Sequence, residues 1–248
     1  MRDDLVRRYA PLAYEMRETA GVATLEGYAS TFSQPYDMGH FREEVMPGAF
    51  KRSLDSGPDV RFLVDHSGSP LARTKSGTLK LAEDSTGLHM RAELDTENPT
   101  ARGIVSAINR GDLDAMSFAF RVSKGGDAWS DDYSHRSLNA LNIHDGDVSV
   151  VTHPANPATS ISVQRSRQVA TAELVEAMTA EIRAGRVLSA ANVARLTHAL
   201  ESLSAADSSL DEVAAAVAEA VGTQVPADPD DKGRSARNAR ARMALAAL

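Results

Sequence analysis

The chain of 248 residues contains no cysteine. That excludes disulfide staples, a cysteine nucleophile, an iron–sulfur cluster and any thiolate zinc site. It fits a reducing cytosol. A basic surplus is also missing. The net charge of −7 argues against a general nucleic-acid binder, whose phosphate contacts need a positive surface. No apolar run approaches the roughly 20 residues that span a bilayer. The opening MRDDLVRRYA is charged and leads into no apolar core, so it does not read as a secretory signal. There is no Walker sequence, no G-x-G-x-x-G and no G-x-S-x-G elbow. The run His144-Asp145-Gly146-Asp147 matches no zinc or calcium spacing. No metal and no cofactor is expected.

What is present is a globular composition, 42% hydrophobic and 25% charged. It changes along the chain. All twelve aromatic residues lie at or before Tyr133, and 23 of the 83 residues from Ser166 to Leu248 are alanine. Large side chains can fill a core in the first part. The alanine-rich second part reads as helix. The expected division is residues 1–165 and 166–248.

The first part reads mostly as strands: Leu25–Phe32, Val60–His66, Asp114–Val122 and Asp147–Thr152. Thr86–Asp95 alternates cleanly, with Leu88, Met90, Ala92 and Leu94 on one face. Asn98-Pro99 opens a helix that Gly111 ends. Many strands with one or two helices point to an α+β barrel or sandwich, not a doubly wound sheet. The second part reads as three helices: Ala172–Arg183, Ser189–Leu203, and one that Ser209 and Glu212 open with a capping box. Val193, Leu196, Leu200 and Leu203 of the second lie close to a heptad seam. These stripes suit a small bundle or coiled coil, or a partner-binding arm. The last seventeen residues carry five basic side chains and no acid, a solvated end or a contact for DNA or acidic scaffold.

Residue types that could carry chemistry are few. In AMSFAFRV, Met116, Phe118, Phe120 and Val122 share one face, which must be buried. Ser117 projects from the other, between Ala115 and Ala119, with room above it for a carbonyl. A nucleophile could use that geometry, and so could a tightly packed small-residue face. A serine needs a base. Among seven histidines, His66 ends the strand FLVDH before the loop SGSP, which suits a general base. Its neighbour Asp65 points to the opposite face. His89 sits on a polar strand face, and His40, His135 and His198 lie in polar or helical surroundings without an acid or serine partner. Candidates to orient the base cluster in IHDGDVSVVTHP: His144, Asp145, Asp147 and His153. Asp147, Ser149 and Val151 share a parity opposite to Val148 and Val150. His-Asp-Gly-Asp is equally good turn chemistry.

Taken in order, several blocks resemble the prohead (capsid maturation) proteases of tailed bacteriophages. EGYASTF followed by EEVMPGAFKRSL resembles the family's opening, and RFLVDHSGSPLART its histidine block. GTLKLAEDSTGLHMRAELD is similar to its middle hairpin, DAMSFAFRV to its serine block and DGDVSVVTHPANPATSI to its closing block. Together they cover residues 25–163. The resemblance implies a serine endopeptidase with a fold like that of herpesvirus assembly proteases, a β-barrel surrounded by helices. By matching blocks, it implies His66 as general base, Ser117 as nucleophile and Asp147 as orienting acid, where the family usually has glutamate before V-S. The related viral fold uses a second histidine there, which keeps His144 and His153 open. Backbone N–H groups would hold the oxyanion, with Arg73 or Arg121 nearby.

The implied substrates are the major capsid protein, scaffold segments and the chain itself. The implied setting is the immature capsid in the host cytoplasm, with no membrane and no specific nucleic acid as partner. GRVLSAANVARLTHALESL resembles helical scaffolding segments, and its seam suits self-association. Two other readings are a non-catalytic assembly protein with a protease-like fold and a hydrolase of small esters.

Overall fold

The computed structural model describes residues 6–11, 14–152 and 161–206. The chain begins with β1 (Val6–Pro11), β2 (Tyr14–Thr19), β3 (Val22–Thr31), β4 (Tyr36–Asp37) and β5 (Arg42–Val45). A short helix, α1 (Lys51–Asp55), precedes β6 (Arg61–Val64), β7 (Ser67–Arg73), β8 (Leu79–Glu83) and β9 (Gly87–Asp95). After α2 (Pro99–Arg110) come β10 (Ala115–Val122), β11 (Asp127–Trp129), β12 (His135–Leu138), β13 (Leu141–Asn142) and β14 (Asp147–Val151). Two helices follow, α3 (Ile161–Arg183) and α4 (Ala190–Ala206). The protein is α+β, mostly sheet with a few helices.

The strands form three sheets: β1-β10-β14-β6-β7 with β13 added to β10, β2-β3-β9-β8, and β11-β12-β5-β4. No closed barrel forms among the described residues. The first two sheets pack together, β1 and β10 against β3, and β7 against β8 and β9.

Alternation builds the walls. Leu88, Met90, Ala92 and Leu94 of β9 are fully buried while His89, Arg91 and Glu93 are not. β8 and β9 pair as an antiparallel hairpin. Gly87 is required where β9 meets the bulge of β3, because a Cβ there would stand 2.0 Å from the Ser30 carbonyl oxygen. In β10 the even face carries Met116, Phe118 and Phe120, all fully buried. Phe118 stacks on Phe120 at 5.0 Å and meets the edge of Phe50 at 5.7 Å. α2 starts at Asn98, whose side chain accepts from the Thr100 N–H, and ends at Gly111 in the left-handed region.

One charge network ties β1 to the third sheet. Glu43, fully buried, takes Arg8 on one carboxylate oxygen and Arg136 on the other, and Arg136 also reaches Asp127. Desolvation makes such a group costly unless every charge is met.

The described residues gather into two compact units. One takes in the chain up to Ser166 apart from Met38–His40 and Asp131–Ser134, and those two segments join the chain from Arg167 onward in the other. α3 begins at Ile161, well before Ala172, so the helix runs through the compositional boundary instead of starting after it. Alanine content marks where bulky side chains end, not where hydrogen bonding changes. In the second unit Leu174, Met178, Leu196 and Ala199 are buried. Asn192 donates to the Asp131 carbonyl and Arg195 to that of His40. His40 and His198 meet edge to face at 4.8 Å. The helix expected after Ser209, the basic end and His153 lie outside the described residues.

Candidate active site

Three strands and one turn position the site. β10 lies between β1 and β14, antiparallel to both, and β14 runs parallel to β6. The register sets Ser117 opposite Ser149, Ser149 beside Leu63, and Asp147 beside Arg61. Neighbours in register share a face, so Ser117, Ser149 and Asp147 occupy one side of the sheet. The large apolar residues of β10 occupy the other. Gly146 allows β14 to start close to β10: a Cβ there would stand 2.3 Å from the Ala119 carbonyl oxygen.

His66 is not at a strand end, as its sequence suggests, and SGSP is not a loop. β6 stops at Val64 and β7 starts at Ser67, so Asp65 and His66 are the two-residue turn of a hairpin. Both have positive φ, 48° and 58°. Turns of this kind match strand twist but prefer glycine or asparagine. Here the cost of two side chains in the left-handed region is offset by anchoring. The Asp65 N–H donates to the Val150 carbonyl at 3.0 Å. The Asp65 carboxylate accepts from the Thr152 N–H at 2.9 Å and from its hydroxyl at 3.0 Å.

The imidazole of His66 then bridges two strands. Nε2 stands 2.6 Å from Ser117 Oγ, and Nδ1 stands 2.6 Å from Asp147 Oδ1. The structure thus brings Ser117, His66 and Asp147 together, from positions far apart in the chain. The same Asp147 oxygen accepts from Ser149 Oγ at 2.5 Å. The sequence puts Ser149 on the Asp147 face but gives it no role, because a lone serine on a valine-rich strand looks like filler. A hydroxyl on the Asp147 face, two residues away, is the signal that could have found it.

Of the two readings of this face, open space for a carbonyl or tight packing of small residues, burial matches the second. Ser117, Ala115 and Ala119 are all 0% exposed. The flanking methyl groups are packed, not clearing a path. The other candidates stand apart from this cluster. His144 is half exposed; its Nδ1 accepts from the Asp59 N–H, and its Nε2 lies 3.5 Å from Asp145. Arg73 forks onto Asp59. Its grip holds the Asp59 carboxyl down to about 2. Arg121 donates to the His144 carbonyl and lies four residues along β10 from Ser117, roughly 13 Å. His135, read as lacking an acid, has one: its Nε2 lies 2.8 Å from Glu44, brought alongside by the parallel pairing of β12 with β5.

A hydroxyl, an imidazole and a carboxylate in one hydrogen-bonded chain can perform nucleophilic acyl transfer. Among the described residues no cluster suited to a metal ion occurs, and no helix is long and apolar enough to cross a membrane. The chain is 31% identical over 149 residues to the prohead protease of Enterobacteria phage HK97, a match covering 57% of this chain and 60% of that protein. The chain therefore spans less than two thirds of that relative's length. No solved structure matches it. The family model of the caudovirus prohead serine proteases matches residues 11–173, more than half of the chain and including Ser117, His66 and Asp147. The chain belongs to the caudovirus prohead serine protease family.

Proposed function

We propose that this protein is a serine endopeptidase that cleaves the major capsid protein, scaffold segments and itself during maturation of a phage prohead. The observation carrying this reading is the unbroken hydrogen-bond chain Ser117–His66–Asp147 in a member of a prohead protease family. Ser117 Oγ attacks the peptide carbonyl carbon while His66 Nε2 takes its proton. Asp147 holds the ring in the tautomer with hydrogen on Nδ1 and faces the imidazolium as it forms. The tetrahedral intermediate collapses, His66 returns the proton to the departing amine, and an acyl-enzyme remains on Ser117. Water, deprotonated by His66, then attacks the ester; the bond to Ser117 Oγ breaks as His66 returns the proton to that oxygen, freeing the acid and the serine. No cofactor is needed. Backbone N–H groups supply the oxyanion site.

Residues 1–165 are the catalytic part in this reading, and 166–248 are a helical arm that joins scaffold helices and raises the local concentration of substrate. The arm is itself removed by cleavage. The protein works inside the immature capsid in the host cytoplasm. A kinship in fold with herpesvirus assembly proteases belongs to the same reading, supported by a β-rich unit whose first two sheets pack together.

Complete burial of Ser117 favours a second reading, an assembly protein that keeps the fold without activity. Co-expression with the cognate capsid protein, wild type against Ser117→Ala, followed by intact-mass measurement, separates the two. Processing by wild type alone supports the peptidase. Intact capsid protein and intact chain in both cases support the assembly protein.

A further inference from the structure

We propose that Ser149 is a positioning residue of the reaction: its hydroxyl holds the Asp147 carboxylate on His66. The proposal rests on reading Ser117, His66 and Asp147 as the peptidase triad.

Ser149 sits at the centre of the first sheet, in register with Ser117 on one side and Leu63 on the other. It is 0% exposed. A buried hydroxyl must find a partner or lose its hydration uncompensated. The bond recorded for the Ser149 side chain goes to Asp147 Oδ1, at 2.5 Å. An ionised carboxylate has no hydrogen to give, so Ser149 is the donor. Bonds of this charged type are short and about twice as strong as neutral ones.

The choice of oxygen matters. His66 Nδ1 and Ser149 Oγ both approach Oδ1, and an sp² oxygen has two lone pairs to receive them. The strand period places Ser149 on the Asp147 face and the β6–β7 turn brings His66 to the same oxygen, so the carboxylate is held by two donors. Without Ser149, rotation about two side-chain bonds would let Oδ1 leave the line to Nδ1. The imidazole would lose its fixed tautomer for part of the time. Misplacement by about 1 Å near reacting groups costs on the order of 100-fold in rate.

A merely structural Ser149 would fill space and satisfy itself. Alanine in its place would then change stability or nothing. The test compares the full chain as wild type, Ser149→Ala and Ser149→Thr. Labelling of Ser117 by a fluorophosphonate, read by mass spectrometry across probe concentrations, separates maximal rate from half-saturating concentration. The downfield proton resonance of the His66 Nδ1–H is recorded by NMR on the same samples. We expect Ser149→Ala to slow maximal labelling roughly ten- to a hundred-fold, with half-saturation and melting temperature little changed and the resonance shifted or broadened. Threonine, which keeps the hydroxyl, restores most of the rate. Labelling of Ser149→Ala at the wild-type rate, with the resonance unmoved, overturns the assignment. Failure of the wild type to label at Ser117 overturns the peptidase reading instead. In that case the resonance alone decides whether Ser149 holds Asp147, and an unmoved line rejects it.

Discussion

The Nδ1 atom of His66 lies 2.6 Å from Oδ1 of Asp147, a contact between residues 81 positions apart. The turn carrying His66 is pinned beside the end of β14, at Val150 and Thr152. Its ring reaches back along the strand to Asp147, where β14 begins. Each anchor in this arrangement can be removed singly.

Ser117→Ala is expected to abolish capsid-protein cleavage, by on the order of 10⁶ in turnover if the residue acts as other serine nucleophiles do. Alanine already flanks the position in Ala115 and Ala119, so the melting temperature should hold within a few degrees. Cleavage that survives in this variant, seen by intact mass, would remove Ser117 from its role.

Asp147→Asn should keep the fold and lower the rate of cleavage by about 10⁴, the cost of presenting His66 in the wrong tautomer. His144→Ala should leave cleavage at the wild-type rate, because that ring is turned toward Asp59 and Asp145. Steady-state cleavage of a peptide spanning a mapped site measures both. An inactive His144→Ala protein with an active Asp147→Asn protein would reverse the assignment.

Asp65→Ala should destabilise the protein by about 1–2 kcal/mol in urea unfolding. It places alanine in the left-handed region and strips Thr152 of its acceptor. Asp65→Asn should recover much of this, since asparagine tolerates that conformation and keeps one carbonyl. Equal losses in the two variants would mean the carboxylate charge, not the turn, is what matters.

Glu43→Gln should be far more damaging than a typical substitution, about 3–5 kcal/mol. It leaves the buried guanidinium groups of Arg8 and Arg136 without their shared charge. Denaturant melts would show it, and a loss under 1 kcal/mol would mean the pair is solvated in solution.

Acid should expose the Asp59–Arg73 pair. Arg73 holds the folded carboxyl down to about 2, against an ordinary value of 3.8. Its contribution is therefore complete above the ordinary value and lost as pH falls through the folded one. Thermal melts of wild type and Asp59→Asn should differ at neutral pH and converge as pH drops toward about 2. A constant difference across that range would contradict the shift.

Much of this molecule is written in short-range pattern. The alternation in Thr86–Asp95 marks β9 and its buried face, and Asn98-Pro99 with Gly111 marks α2 nearly to the residue. The parity of β10 already separates Ser117 from Met116, Phe118 and Phe120. These features depend only on where side chains point from one strand or helix, and that repeats every two or 3.6 residues. The order of the blocks from 25 to 163 carries the family. What the pattern leaves open is register. Nothing local to FLVDHS says that Asp65 and His66 form a turn, because the partner that stabilises it, Thr152, lies just past the end of β14. Nothing local to DVSVV says which carboxylate oxygen meets Ser149 and His66, or that Ser117 is fully buried. Strand parity determined which face each candidate occupies. Long-range pairing of β6, β10 and β14 alone decided which of them touch, since a slip of one residue in any pair would turn a candidate to the other side of the sheet.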